Sequence, residues 1–302
     1  MRGFVLLLLL AAPAACADIV TAVRVAASQG NLSLADAEIK AYREQRGVTP
    51  EMLEALSWEA RAALDMRRFD AAAAYARETE TLLRDSLKGR PIDSDPHLPL
   101  ALGAAIEVQA QAVAARGQRT QALALLRKEL AIWGETSIAD RIQKNINLLS
   151  LEGQPAPPLD EREYLGLKPP SLASLRGKPV LLFFWAHWCS DCKADEPIIA
   201  EIRREYASKG LTVIAPTQRY GYIAGGQDAP PALEMRYIEA VRRQFYPDLL
   251  DAPAPVSEAN FKRYGASTTP TLVLLDRRGI VRMYHPGAMT LDELRTALKR
   301  VL

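Results

Sequence analysis

The sequence predicts two folded parts, an all-α helical domain followed by an α/β domain with a mixed central sheet flanked by helices. The chain has 302 residues, which is more than one hydrophobic core usually supports, about 250 residues. Apolar residues return every three or four positions up to about residue 150, as in helices. Beyond that point, short apolar and β-branched runs alternate with helical segments. The composition, 49% hydrophobic and 25% charged, is that of an ordinary globular protein.

Residues 1–17 have the pattern of a secretory signal peptide. One arginine precedes an apolar stretch of about ten residues, which is too short to span a bilayer comfortably, and small residues follow. We predict cleavage after Ala17 and therefore an exported protein of the periplasm or cell envelope. A lipid anchor on Cys16 is the alternative, although Pro13 stands where such a site favours an aliphatic residue.

The predicted helical domain covers residues 18–150 and holds about seven helices joined by short turns. Ser33, with Asp36 three positions later, is the expected cap of one helix. Thr49 and Pro50 are the expected cap and first residue of the next. A domain of this kind is a possible binding site for a protein partner.

Two segments of the helical domain resemble each other. The stretches that begin at Trp58 and Val108 both read as a helix, a tight turn and a second alanine-rich helix. Their pattern resembles a tetratricopeptide-type helix pair, although the offset of about fifty residues exceeds the usual repeat. A plain antiparallel bundle is the alternative.

Five prolines between Leu151 and Pro170 end the helical pattern. We place the domain boundary near Gly153, so that the α/β domain covers residues 151–302. Its elements are predicted in this order: a buried strand in PVLLFFW, a helix in DEPIIAEIRREYASKG, a strand in LTVIAPT, a helix over 233–244, a short strand near 255–256, a helix capped by Ser257, a hairpin in TLVLLDRRGIVRMY that turns at Arg278 and Gly279, and a final helix capped by Thr290.

The mature chain keeps two of the three cysteines, Cys189 and Cys192, directly after the first buried strand. A strand, a short turn and a helix place Cys189 at a helix N-terminus, where free N–H groups and the helix dipole favour a negative charge. We therefore expect Cys189 to be an exposed thiolate of low pKa. Cys192, one turn later and facing inward, is placed to resolve a mixed disulfide. Export allows the pair to form a disulfide.

Metal binding is the main alternative chemistry for these cysteines. Structural zinc needs four ligands, and the histidines His97, His187 and His285 supply neither a second C-x-x-C nor an H-x-x-x-H. A copper-delivery site of two cysteines and His285 stays open, although such carriers usually space their cysteines by three residues. We expect no metal and no cofactor other than a redox-active Cys189–Cys192 disulfide. The net charge of +2, without a basic block, predicts no nucleic-acid partner.

The stretch PVLLFFWAHWCSDCKADEP and the later STTPTLVLLDRRGIV resemble the thioredoxin superfamily. The preceding GQPAPPL is similar to the TlpA-like and ResA-like exported branch, and the resemblance covers about residues 153–302. It implies a thiol-disulfide oxidoreductase in which Trp188 shields the cysteines and Thr269–Pro270 forms a cis-proline turn that binds substrate. It also implies that Pro197 kinks the active-site helix.

Two positions depart from the family pattern. Phe183 stands where thioredoxin has a buried aspartate, and Asp195 stands where the exported branch commonly has glutamate. Asp195 is our candidate for the acid that handles the proton, and the alternative is an acid that only stabilises the helix N-terminus.

The direction of the reaction does not follow from the residues between the cysteines. The exposed charge of Asp191 is worth about 1 kcal/mol, or about 20 mV, against about 150 mV between thioredoxin and the strongest periplasmic oxidant. The resemblance implies a reductase of exported protein disulfides that takes electrons from a membrane donor. Some members serve haem or copper-centre assembly, including cytochrome c maturation.

Two other function classes stay open. In the first, the helical domain is a scaffold that binds a partner protein, and the redox module is an accessory. The second is a peroxidase, although peroxidases of this kind have their reactive cysteine in T-x-x-C and not in W-C-x-x-C. Tyr220, Tyr222 and Gly225–Gly226 form a predicted loop over the active site, with substrate selection or surface packing as its role.

Overall fold

The computed structural model describes residues 18–301. The predicted signal peptide and Cys16 lie outside these residues. The described residues form two compact units, one that ends at Val108 and one that begins at Gln109, and each is described by itself.

The described residues form eleven helices and six strands. The helices are α1 (Ile19–Ser28), α2 (Leu32–Arg46), α3 (Pro50–Asp65), α4 (Phe69–Leu87), α5 (His97–Ala115), α6 (Arg119–Trp133), α7 (Ala139–Ser150), α8 (Ser190–Glu205), α9 (Pro231–Phe245), α10 (Glu258–Tyr264) and α11 (Leu291–Lys299). The strands are β1 (Tyr164–Leu165), β2 (Val180–Phe184), β3 (Thr212–Ile214), β4 (Ala254–Pro255), β5 (Thr271–Leu275) and β6 (Val281–Pro286). Seven helices precede residue 151, as predicted.

The helix boundaries of the first unit follow capping chemistry. The Thr49 hydroxyl accepts from the N–H of Met52, and Pro50 is the first helical residue. The prediction that Ser33 caps α2 is wrong, because the Asn31 side chain accepts from the N–H of Leu34 at 3.1 Å and starts the helix earlier. Asparagine and serine cap helices about equally well.

The first unit has a core in which alanine predominates. Helix α3 packs against α1, α2 and α4. One buried cluster consists of Leu32, Ala60, Ala62, Ala63, Ala72, Ala76, Ala105 and Val108, with Tyr75 packed against its edge. Small side chains let the helix backbones approach closely, so that each helix buries a narrow apolar face. The tetratricopeptide-type repeat and the domain limits stay predictions.

The second unit is built on a four-stranded mixed sheet of order β3-β2-β5-β6. Strand β2 pairs parallel with β3 and antiparallel with β5, and β5 pairs antiparallel with β6. Strands β1 and β4 form a separate antiparallel pair. The mixed α/β architecture predicted from the sequence is confirmed.

All five residues of β2 are buried, and they alternate between the two faces of the sheet. Leu181 and Phe183 lie in the core cluster that includes both cysteines and the inner face of α8. Val180, Leu182 and Phe184 lie in the opposite cluster. A strand that is covered on both faces needs an unbroken apolar run, which is what made β2 recognisable in the sequence.

Helix α7 packs against α10 and β6 within the second unit. The Asn147 side chain donates to the carbonyl of Arg263 at 3.3 Å. Gly265, in the left-handed region at φ +57°, lies so close to α7 that a Cβ there would stand 2.3 Å from the Lys144 nitrogen. Helices α6 and α7 therefore belong to the same compact unit as the sheet, although they precede the compositional boundary near Gly153.

One described helix, α5, is long and apolar enough to cross a membrane. Most of its apolar window is buried inside the protein, and buried core helices pass the same test of length and composition.

Candidate active site

The two cysteines lie where β2 passes into α8. Cys189 is the N-cap residue of α8, and its sulfur accepts from the N–H of Cys192 at 3.0 Å. The sulfurs of Cys189 and Cys192 are bonded to each other at 2.09 Å. The first cysteine thus caps the helix with its own sulfur, at the end of the helix where N–H groups favour negative charge.

The expected exposure of Cys189 is wrong for this disulfide form. Cys189 is 3% exposed and Cys192 is fully buried, because the bonded sulfurs turn inward and belong to the core cluster beneath the helix. Trp188, which directly precedes Cys189, is instead 49% exposed. The solvent-facing group at this position is therefore an indole ring.

Asp195 lies on the buried side of α8 and is 6% exposed. The pKa of its carboxyl is raised to about 6, mainly because the group is buried. The hydrogen bond that it accepts from the Met289 N–H lowers this pKa, and the Asp191 charge raises it. Cys192 and Asp195 are three residues apart on one helix, so their side chains are neighbours, with Cβ atoms about 5–6 Å apart. Near neutral pH this acid is a carboxylate whose pKa lies close enough to pH 7 for it to accept and release a proton.

Aromatic side chains pack together in the core cluster that holds both cysteines. Phe183 is fully buried, and its ring lies 6.3 Å from that of Tyr246. Trp185 packs on the same tyrosine at 4.6 Å and donates its indole N–H to the carbonyl of Ala215 at 3.0 Å. The Tyr246 hydroxyl is buried without a hydrogen-bond partner, and burial and the Glu196 and Asp195 charges raise its pKa.

The Thr269–Pro270 peptide bond is cis, as the resemblance implies. The next residue, Thr271, begins β5 and pairs with Phe184, the last residue of β2. The cis-proline turn and the cysteine turn therefore lie at the same edge of the sheet. The Thr269 hydroxyl is buried without a hydrogen-bond partner.

His187, two residues before Cys189, is buried, with 2% exposure. Burial lowers the pKa of its imidazole, and the nearby Glu234 opposes that change only in part. The ring stands edge-on to three tyrosines at 5.3–5.5 Å, Tyr220, Tyr222 and Tyr237. His187 is thus a neutral packing partner of the neighbouring aromatic loop.

The buried carboxylate of Glu234 anchors that loop. It accepts the backbone N–H groups of Tyr220 and of Gly221, the latter at 2.9 Å. Tyr220 in turn stands edge-on to Trp188, with ring centroids 5.5 Å apart. Sequence reasoning missed Glu234 and Tyr246, because each acts through a contact that is distant in sequence and has no local motif.

Within residues 18–301 no group of three or more His, Cys, Asp or Glu side chains is arranged to hold a metal ion. His285, the third ligand considered for copper, lies on β6, where its Nε2 is 3.3 Å from the carbonyl of Ala288.

A C-x-x-C disulfide that caps a helix after a central strand, beside a cis-proline turn, defines the class of thiol-disulfide oxidoreductases with a thioredoxin fold. Residues 170–302 match the family described as thioredoxin-like domain. The thioredoxin-like protein YneN of Bacillus subtilis is 31% identical over 147 residues, which cover 49% of this chain and 78% of that relative.

Two further comparisons are with a second bacterial relative and with a solved structure. The thiol-disulfide oxidoreductase ResA of Geobacillus thermodenitrificans is 27% identical over 130 residues, covering 43% of this chain and 67% of the relative. Among solved structures, the exposed lipoprotein thioredoxin of Streptococcus pneumoniae is 26% identical, with 47% of this chain and 99% of that chain covered and a TM-score of 0.36. The chain belongs to the thioredoxin-like family, and its relatives are thiol-disulfide oxidoreductases.

Proposed function

We propose that this protein reduces disulfides of other exported proteins, with Cys189 as the attacking thiolate and Cys192 as the resolving thiol. One observation carries the proposal, the Cys189–Cys192 disulfide in which the Cys189 sulfur caps α8. The Cys192 N–H that contacts the sulfur in the disulfide also stabilises a thiolate there once the pair is reduced.

In the first step the Cys189 thiolate attacks one sulfur of the substrate disulfide. A bond forms between Cys189 and that sulfur, the substrate disulfide breaks, and the departing substrate thiolate takes a proton from water. Cys189 is buried in the disulfide. The substrate sulfur therefore approaches it at the edge of the sheet where the cysteine turn, with Trp188, and the cis-proline turn, with Pro270, lie together.

In the second step Cys192 loses its proton to the Asp195 carboxylate and attacks the Cys189 sulfur. The bond between Cys189 and the substrate breaks, and the second substrate thiolate takes the proton. The substrate gains two electrons and two protons, and the protein is left as the disulfide seen in the structure. A dithiol donor then reduces the disulfide again, and we place this donor in the membrane.

Trp188 and the Thr269–Pro270 turn form the proposed substrate surface. The half-exposed indole presents a flat apolar face beside the cysteines. The carbonyl of the buried Pro270 already accepts the Gly287 N–H at 2.8 Å. Hydrogen bonds to the substrate backbone are therefore made by the residues that precede Pro270. The signal-like N-terminus supports action outside the cytoplasm.

The experiment uses the mature chain, insulin as a disulfide substrate and a chemical dithiol as the donor. Wild-type protein is expected to reduce insulin, and Cys189→Ser is expected to abolish the reaction. Cys192→Ser that is first reduced and then freed of the dithiol is expected to accumulate a covalent adduct with insulin through Cys189, because the resolving step is lost. Non-reducing gel electrophoresis and mass spectrometry measure this adduct.

Two results would overturn the mechanism. The first is an active wild type whose Cys192→Ser variant accumulates no adduct, and the second is an adduct that forms equally well in Cys189→Ser. Adducts trapped in cells by Cys192→Ser, compared with those of the double variant, then identify the exported partners.

A further inference from the structure

A groove lies between α1 and α3 in the first unit, away from every residue discussed for the redox chemistry. Its volume is about 810 Å³. Helix α1 contributes Thr21, Arg24, Val25 and Ser28, and helix α3 contributes Trp58, Arg61, Ala62 and Asp65. Each set has the spacing i, i+3, i+4, i+7, which places its side chains on one face of a helix.

The groove exposes apolar side chains that a closed core would bury. Val25 is 51% exposed and Met66 is 37% exposed. Ala27, Gly30 and Ala62 line the groove between them and leave it open because their side chains are small or absent. Such a surface releases water when an apolar side chain covers it.

The groove also carries a positive charge, that of Arg24. Its lining further includes Arg61 and one acid, Asp65. The guanidinium groups of Arg24 and Arg61 lie over the Trp58 ring, at 4.5 Å and 4.1 Å from its centroid. Within residues 18–301, Arg24 forms no salt bridge with a carboxylate, so its charge is available to a ligand.

The dimensions of the groove suit a short peptide. Seven residue steps along a helix cover about 10 Å, which is the length of about three extended residues. A carboxylate that reaches Arg24 leaves room on either side for an apolar side chain against Val25 or Met66. The stacked indole holds the guanidinium in place and lowers the entropy that its ordering costs.

We propose that this groove binds a short segment of another protein in which acidic residues alternate with apolar ones. The acid pairs with Arg24, and the neighbouring apolar side chains cover Val25 and Met66. The site is separate from the cysteines, so it serves to hold a partner chain and takes no part in the thiol chemistry.

Fluorescence anisotropy tests the proposal with the mature full-length chain and a labelled pentapeptide in which two acidic residues alternate with three leucines. The matched peptide has the two acids replaced by their amides. We expect binding of the acidic peptide with a Kd below about 1 mM and binding of the amide peptide at least about tenfold weaker, since a charge-assisted pair is lost.

Lys40 supplies the matched control, because it is exposed on α2 and lies outside the groove lining. Arg24→Glu is expected to weaken binding of the acidic peptide about tenfold or more, and Lys40→Glu is expected to leave it unchanged. Cys189→Ser is expected to bind like wild type, so the result is independent of the redox mechanism. Circular dichroism confirms that each variant is folded.

Three outcomes would overturn the proposal. One is no binding of the acidic peptide up to about 1 mM. Another is equal weakening by Arg24→Glu and Lys40→Glu, which would reflect net charge alone. The third is a dimer in sedimentation experiments that Arg24→Glu dissociates and Lys40→Glu does not, because the occupant is then a second copy of this chain.

Discussion

Asp195→Asn tests whether a buried acid handles the proton of the resolving cysteine. The substitution keeps the size of the side chain and an oxygen that can accept from Met289, but it removes the titrating group. The matched control is Glu205→Gln on the same helix, because Glu205 is exposed and is not among the groups that shift the pKa of Asp195.

The structure fixes the size of the expected effect on stability. Burial raises the pKa of Asp195 from the ordinary 3.8 to about 6, and one pKa unit corresponds to about 1.4 kcal/mol. The raised pKa means that the folded oxidised protein holds this proton more tightly than the unfolded chain. The stability that this bound proton contributes is therefore complete below about pH 4. The free energy of unfolding falls by up to about 3 kcal/mol as the pH rises through 6.

Denaturant unfolding of the oxidised protein at a series of pH values between 3.5 and 7.5 measures this effect. The free energy of unfolding of Asp195→Asn, relative to wild type, is expected to grow by about 3 kcal/mol over that range. In rapid-quench experiments the mixed disulfide formed by Asp195→Asn is expected to resolve about 100-fold more slowly at pH 7. Its rate of formation is expected to change little.

The reasoning about Asp195 is refuted if the stability difference does not depend on pH, or if Glu205→Gln gives the same pH dependence. A normal resolving step in Asp195→Asn, together with the expected stability curve, would show that the acid is buried and titrates but does not serve Cys192.

Two further predictions concern the scaffold. Burial raises the pKa of Glu59, which is fully buried, to about 8, so the stability of the first unit is expected to fall as pH rises from 4.5 through 8. Glu59→Gln is expected to remove this fall, worth up to about 5 kcal/mol, in thermal unfolding from pH 5 to 9, and Glu44→Gln, at an exposed position of α2, is expected to keep it. Gly265→Ala is expected to lower the stability of the second unit by about 2 kcal/mol or more, because the methyl group meets the Lys144 backbone. Gly279→Ala, which shares the left-handed backbone but has open space around it, is the control, and an equal loss in both would contradict the proposed contact with α7.

The parts of the fold that could be predicted from the sequence are those set by local pattern. The unbroken apolar run of β2, the Thr49–Pro50 helix start and the Thr290 capping box each depend on residues within one turn or one strand. The position of Cys189 as the cap of α8 follows from the same local geometry, and it is observed.

The remaining features depend on contacts that are distant in sequence. The burial of Cys189 follows from the bond to Cys192 and from the core beneath it, and no short pattern records that packing. Glu234 reaches the backbone of Tyr220 from a different element, fourteen residues away. Tyr246 packs against Trp185, which is far from it in the sequence, and no local motif marks this contact.

The close approach of α7 to α10 bears on how this protein can be divided and recombined. Residues 139–150 lie outside the stretch that matches the family, which begins at residue 170, yet α7 contacts α10 and β6. A fragment cut at residue 151 would remove that cover and leave the Gly265 backbone facing water. The part of the chain that has to be kept together is therefore longer than the stretch that matches the family. A fusion or transplant of the oxidoreductase needs to include α7 together with α10.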